Sequence, residues 1–308
     1  MAGGSPHPVQ LRIPVGNVTI VGDAFGDPDD PPVVLLHGGG QTRHSWRHSA
    51  EQLGGNGWYA TSFDLRGHGD SDWSPDGLYT VDYFAEDVRA LARSFPEPPA
   101  LVGASLGGIS SLLAIAEAPE PIATALVLVD VAPRMEPDGV DRIRAFMRGG
   151  ANGFDSLEDV AEAVASYNPH RPRPKDLSGL RKNVRQRDDG RWYWHWDPRF
   201  MGSIEDAPAA LDGLPRDRFA PQPRLEAAAR SITVPTLLVR GGSSDLLSEA
   251  GARQLLELIP HARFADVAGA GHMVAGDRND RFNAAVAEFL RDEVRPVARP
   301  ADGSGAPR

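Results

Sequence analysis

The sequence predicts an α/β protein with a mostly parallel central sheet and helices on both faces. Three observations predict it. Short, continuous apolar runs recur at Pro32–Leu36, 100–102, 125–129 and 234–241, the pattern of strands buried on both sides of a sheet. Helical stretches alternate with them, and alternation of strand and helix builds a parallel sheet. Finally, Gly103-Ala104-Ser105-Leu106-Gly107 joins an apolar run to a helical one. Small residues on either side of a serine allow a strand-to-helix turn too sharp for bulky neighbours.

In chain order, residues 9–21 hold two strand-like pieces joined at Gly16-Asn17, a hairpin-type turn signal. A Pro/Asp loop over 27–32 precedes the strand 33–36, which ends in His37-Gly38-Gly39-Gly40. A strand follows at 59–64. A helix follows at 81–95, where Val81, Phe84, Val88, Leu91 and Phe95 recur at spacings of three and four and form one apolar face. The strand 100–102, the helix after Ser105 and the strand 125–129 complete this half. From 134 to about 230 the rhythm breaks: the stretch is richer in Arg, Asp, Pro and Trp and shows no strong strand. Within it, 156–165 and 176–187 read as helical. The sheet pattern resumes at Ile232, with strands over 234–241 and 262–267. A final amphipathic helix follows Asp280, read as its N-cap, and carries Phe282, Val286, Phe289 and Leu290. A Pro/Gly/Ala-rich tail closes the chain.

The sequence resembles the α/β-hydrolase family. The resemblance rests on His37-Gly38-Gly39-Gly40, Asp64-Leu65-Arg66-Gly67-His68-Gly69-Asp70-Ser71, Gly103-Ala104-Ser105-Leu106-Gly107, the turn at Asp245 and Gly271-His272. These pieces span nearly the whole chain in the family's order. The resemblance implies an α/β-hydrolase core over 1–133 and 231–295 and a mainly helical lid over 134–230, and the Pro/Gly/Ala composition predicts a flexible tail over 296–308. Fold alone leaves the substrate open, because this fold hosts many chemistries.

The chemistry read from the residues is nucleophilic acyl transfer. Ser105 is the candidate nucleophile, and a serine hydroxyl needs an adjacent base at neutral pH. His272, in a small-residue loop after the last strand, is the candidate base. Two aspartates compete for the acid that orients it. Asp245 holds the usual family position after the seventh strand and is preferred; Asp130, ending the sixth strand, is the alternative. The backbone N–H groups of Gly39 and Leu106 are the expected oxyanion donors. The resemblance gives His37 the task of holding the oxyanion loop, and His68 reads as structural. Residues 41–46 are expected at the pocket mouth. Gly40 and the alternating Trp192, Trp194 and Trp196 are pocket candidates, the tryptophans serving either as an apolar ceiling or as glue between lid and core.

Composition narrows the alternatives. The 308 residues carry a formal net charge of −10 and no basic stripe, which argues against nucleic acid as a partner. With no cysteine, disulfides, thiolate nucleophiles and Cys-based zinc sites are excluded. His44 and His48 stand four apart, but no Glu follows His44 as a zinc-protease motif requires. No metal or cofactor is expected. The first residues lack a signal-peptide pattern and no apolar run could span a bilayer, so a cytoplasmic protein with no membrane partner is expected. The residue bias suits a high-GC bacterial genome.

The expected function is a serine hydrolase acting on a small to medium apolar carboxylic ester or similar acyl bond, with a small-molecule substrate and a monomer or homodimer. Two alternatives use the same fold: a cofactor-free haloperoxidase-like perhydrolase or carbon–carbon bond hydrolase, and a non-catalytic ligand-binding receptor. Epoxide hydrolases and haloalkane dehalogenases place Asp at the elbow, and Ser105 argues against both.

Overall fold

The computed structural model describes residues 8–167, 176–201, 220–272 and 279–294. Among the described residues, ten strands form in chain order: β1 (Val9–Val15), β2 (Val18–Phe25), β3 (Pro32–Leu36), β4 (Tyr59–Phe63), β5 (Ala100–Ala104), β6 (Ala125–Val129), β7 (Val184–Gln186), β8 (Trp192–Trp194), β9 (Thr236–Gly241) and β10 (Arg263–Val267). The described helices are α1 (Arg47–Gly54), α2 (Val81–Arg93), α3 (Leu106–Ala116), α4 (Pro137–Arg148), α5 (Leu157–Tyr167), α6 (Gln222–Ser231), α7 (Glu249–Leu258) and α8 (Asn279–Glu293).

Eight strands make one sheet in the order β1-β2-β4-β3-β5-β6-β9-β10. The β1–β2 and β2–β4 pairs are antiparallel and the rest are parallel. The β1–β2 hairpin closes at Gly16 and Asn17, with Gly16 at φ 54°. After β3 the chain adds β4 on one side, then crosses to add β5 on the other. The loops leaving β3 and β5 therefore diverge, and a crevice opens at their carboxyl ends, where α/β sheets bind ligands.

The parallel strands bury alternate residues on opposite faces. Val34, Leu36, Leu101 and Leu126 face α2 and α3 in one core, to which α6 and α7 also add apolar residues. Val33, Leu35, Val102 and Val127 face the other, built with α1 and α8 through Trp46, Phe282, Phe289 and Leu290. Asp280 lies in the first turn of α8 rather than before it.

Between β6 and β9 the chain forms α4, α5, a β7–β8 hairpin and α6. Two expectations fail here. Residues 176–187 are not a helix: a short 3₁₀ turn, Ser178–Lys182, leads directly into β7. The segment also does contain strands, since β7 pairs antiparallel with β8. Three-residue strands give too short a stretch for period-two patterning to register. This hairpin is tied to the core: Gly69 N–H donates to the His195 carbonyl and Asp197 N–H to the Gly67 carbonyl, both at 2.8 Å.

The Arg66-to-Ser71 turn beneath it rests on a buried ion pair. Arg66 reaches Asp87 of α2 bidentately, at 2.6 and 2.5 Å. Breaking a buried pair strands its partner's charge. Asp87→Ala is expected to destabilise the fold by about 3–5 kcal/mol, read as a lowered urea midpoint with an unchanged slope.

Candidate active site

The elbow is a one-residue turn. Ser105, between β5 and α3, sits at φ 46° and ψ −112°, in the region L-residues avoid. The strain falls on the serine itself; its flanking glycines serve close approach. A Cβ on Gly103 would lie 2.5 Å from Gly107 and Gly108 backbone, and one on Gly107 would lie 2.5 Å from the Leu36 carbonyl oxygen. Gly107 N–H donates to the His37 carbonyl at 3.2 Å, locking the start of α3 against the end of β3. Leu106 opens α3, where an N–H has no partner within its own helix.

Two buried histidines hold the glycine loop after β3. His37 Nδ1–H donates to the Gly38 carbonyl at 2.7 Å, and its Nε2 accepts the Leu65 N–H at 3.0 Å. His68 Nδ1–H donates to the Arg66 carbonyl at 3.0 Å, and its Nε2 accepts the Gly40 N–H at 3.1 Å. Those bonds require both rings neutral. Burial pushes His37 down to about 4, with the Arg43 charge adding to it. Burial, helped by the neighbouring His37, pushes His68 down to about 3. Gly38 N–H donates to Gln41 Oε1 at 3.2 Å, which closes the loop locally. A Cβ on Gly38 would lie 3.3 Å from the Ser105 Cβ, so the loop passes beside the serine.

The aspartate against His272 is Asp130. His272 Nδ1–H donates to Asp130 Oδ2 at 2.7 Å, which leaves Nε2 as the ring's acceptor. Asp130 is fully buried and also accepts the Gly241 N–H at 2.9 Å and the Ser244 hydroxyl at 2.5 Å. Its backbone, at φ 51°, is the other positive-φ non-glycine position among the described residues. Ser244 is held in turn by the N–H groups of Leu246 and Leu247, both at 3.1 Å. The preference for Asp245 does not survive this geometry. Asp245 turns outward and pairs with Arg142 of α4 at 2.5 Å. In the turn after β9 the inward place belongs to Ser244, whose hydroxyl meets Asp130.

Ser105, Leu106, Gly39, Gly40 and His272 all line one cavity of ≈ 860 Å³. Its roof comes from α4, through Val140, Ile143, Phe146 and Met147, and from α5, through Ala161 and Val164. The i, i+3, i+6, i+7 spacing on α4 is a helical signal that sequence reading passed over, because charged residues fill the turns between. Phe200 and Met201 add to the wall. Tyr167 also lines the cavity; burial and the nearby Asp245 push its hydroxyl up to about 12, so it stays a neutral phenol. Of residues 41–46, Gln41 and Ser45 line the cavity, whereas Trp46 is buried beside Phe282 at a ring distance of 5.6 Å.

The three tryptophans are absent from the cavity lining. Trp194 and Trp196 stack on each other at 5.0 Å, and Trp194 Nε1–H donates to the Gly149 carbonyl at 2.8 Å. Trp196 sits over His68, and Trp192 exchanges backbone bonds with Phe154. Trp194 and Trp196 share one side through their stack, and all three tryptophans are buried against the protein, away from the cavity lining. Among the described residues, no three His, Cys, Asp or Glu side chains group as metal ligands, and no helix is long and apolar enough to cross a membrane.

Comparison with known proteins adds an independent line. A family model described as alpha/beta hydrolase fold matches residues 31–278. An esterase of Mycobacterium tuberculosis is 30% identical over 256 residues, covering 80% of this chain and 78% of that protein. A 3-hydroxybutyrate-oligomer hydrolase of Cupriavidus necator is 27% identical over 277 residues, covering 86% and 90%. The crystal structure of an E-2-(acetamidomethylene)succinate hydrolase superposes with a TM-score of 0.77 at 25% identity, covering 92% of this chain and 100% of the other.

Proposed function

The chain is an enzyme of the alpha/beta hydrolase family, and we propose that it hydrolyses small to medium apolar carboxylic esters through a Ser105 acyl-enzyme. The observation that carries this reading is the His272–Asp130 bond at the edge of an apolar cavity that also exposes Ser105. Asp130 sets the His272 tautomer so that Nε2 can take a proton. In the first half-reaction Nε2 takes the Ser105 hydroxyl proton as Oγ adds to the ester carbonyl. The carbonyl π electrons move to oxygen, and the N–H groups of Gly39 and Leu106 receive that oxyanion. The tetrahedral adduct then collapses, and the leaving alkoxide departs with the proton held by His272. In the second half, His272 takes a proton from water, hydroxide oxygen adds to the acyl carbon, and Ser105 leaves with that proton as the acid is released.

A cavity of ≈ 860 Å³ lies in the range of small-molecule sites, and its lining is mainly apolar, with Asp141 and Arg144 of α4 among the charged exceptions, which favours an alkyl or aromatic substituent. Residues 134–230 would act as the lid of this site, with α4 and α5 as the part over the substrate.

Active-site labelling with a fluorophosphonate, with mapping of the modified residue, tests the nucleophile. The expected result is one adduct, on Ser105, and turnover of p-nitrophenyl esters that rises from acetyl to medium-length acyl chains. An adduct elsewhere, or ester turnover untouched in Ser105→Ala, overturns the reading.

A further inference from the structure

We propose that Phe200 is a positioning residue for the oxyanion loop, an inference that rests on the acyl-transfer reading above. The loop is Gly38-Gly39-Gly40, and three successive glycines have little intrinsic preference for one backbone conformation. A donor contributes to the transition state only if its direction is set beforehand. Something other than the loop's own side chains must therefore hold it.

The two histidines hold its ends, through the Gly38 carbonyl and the Gly40 N–H. Phe200 covers the middle. A Cβ placed on Gly39 would lie 3.6 Å from two atoms of the Phe200 ring and 3.9 Å from the Leu106 side chain. The side of Gly39 on which a side chain would stand therefore faces both a ring from the β6–β9 segment and the first residue of α3, whose own N–H is the other expected donor. The same ring meets His68 edge-on at 4.9 Å, so it also backs the imidazole that anchors Gly40. Met147 of α4 covers Gly40 in a similar way: a Cβ there would lie 3.1 Å from its terminal methyl.

Phe200 is itself tightly placed. It is buried, and its ring packs edge-on against Tyr79 at 5.9 Å and Phe84 at 6.0 Å. The turn that carries it is pinned through Asp197. That residue's N–H donates to the Gly67 carbonyl, and its carboxylate accepts the Tyr79 hydroxyl at 2.5 Å and the Arg199 guanidinium. Phe200 N–H donates to the Asp197 carbonyl at 2.9 Å. The chain of contacts therefore runs from the core through Asp197 and Phe200 to Gly39. The aromatic wall that looks like a substrate surface also steers the N–H that would receive the oxyanion.

Steady-state hydrolysis of a p-nitrophenyl ester by Phe200→Ala and Phe200→Leu, with thermal unfolding of each, tests this. Phe200→Ala is expected to lower kcat by about 10- to 100-fold with KM within about threefold, because donor misplacement is felt in the transition state. Affinity for an alkyl boronic acid, which forms a tetrahedral adduct, should fall in parallel. Phe200→Leu, which refills much of the volume, should recover most of kcat. Unchanged kcat, or a raised KM with full kcat, would show a plain pocket wall and overturn the proposal. If Phe200→Ala loses its thermal transition, Phe200→Val, which keeps a smaller side chain in place, decides instead: a lowered kcat at unchanged KM supports the role, and wild-type kcat overturns it. Fluorophosphonate labelling of the wild type keeps the two readings apart. An unlabelled Ser105 sinks the acyl-transfer reading, whereas a labelled Ser105 with full turnover in Phe200→Ala sinks only the role of Phe200.

Discussion

Asp130→Asn is expected to lower kcat for ester hydrolysis about 10⁴-fold, while Asp245→Asn leaves it within about threefold. The asparagine keeps the shape of the aspartate and removes the charge. Asp130 accepts three hydrogen bonds, from Gly241 N–H, Ser244 Oγ–H and His272 Nδ1–H. An amide can offer only its one oxygen as acceptor, and its NH₂ group would face a donor or force His272 to present Nδ1 as an acceptor. The second outcome moves the ring proton to Nε2, where it blocks uptake from Ser105. On the proposed mechanism it would also remove the negative charge that stabilises the imidazolium formed during attack. Asp245, by contrast, ends in an ion pair with Arg142 that is about one-third exposed on the acid side. Its loss should be felt as little more than a surface pair, about 0–1 kcal/mol of stability. The measurement is kcat on a short-chain p-nitrophenyl ester for both variants, with circular dichroism to match their folding. A crippled Asp245→Asn beside an active Asp130→Asn would reverse the assignment.

Acidification from pH 7 to pH 5 is expected to remove several kcal/mol of folding stability, through the two histidines under the glycine loop. In the unfolded chain both rings take up a proton as pH falls through about 6.5. In the native chain His37 does so only near pH 4 and His68 only near pH 3. Between those values the unfolded state binds more protons than the native one, so stability rises with pH across the window and is lost on acidification. Each ring contributes a slope of about 1.4 kcal/mol per pH unit there. His195, held down to about 4 chiefly by burial, acts in the same direction. Sums of this size compare with the whole stability of a domain, about 5–15 kcal/mol. Urea midpoints at pH 7, 6 and 5 measure the effect, and a flat profile across that range would count against it. The structural consequence is local first. A proton on His68 Nε2 takes away the acceptor of the Gly40 N–H, and one on His37 Nε2 takes away that of Leu65. The glycine loop should therefore lose order before the sheet does, and activity should decay at a higher pH than secondary structure.

Where the local pattern was strong, structure followed it. The runs that became β3, β5, β6 and β9 are continuous and apolar, and the α2 face repeats at three and four. The three-residue strands of the β7–β8 hairpin carry no comparable pattern, and their pairing depends on Trp192 and Trp194 finding a buried surface elsewhere. The tryptophans illustrate the same limit at the site. Their alternation predicts a shared side, but whether the rings line the cavity or pack against protein depended on Gly149, Phe154 and His68, which are distant in the chain. Phe200 carried no motif at all, and only its neighbours in space connect it to Gly39.

What the sequence determined by itself is backbone geometry. Glycines at 103 and 107 permit the elbow at Ser105, because the clashes they avoid involve main chain that any such turn brings close. Ordered along the chain with the loop after β3 and the histidine after β10, they specify the sheet and its reactive edge. The tertiary structure alone decided which carboxylate meets His272. Asp130 and Asp245 both follow strands ending at that edge, so position along the chain cannot separate them. The choice falls to the path of two loops, where the β9 turn points Ser244 inward and Asp245 toward Arg142. A contact across 142 residues is set by that three-dimensional path, and local sequence carries no trace of it.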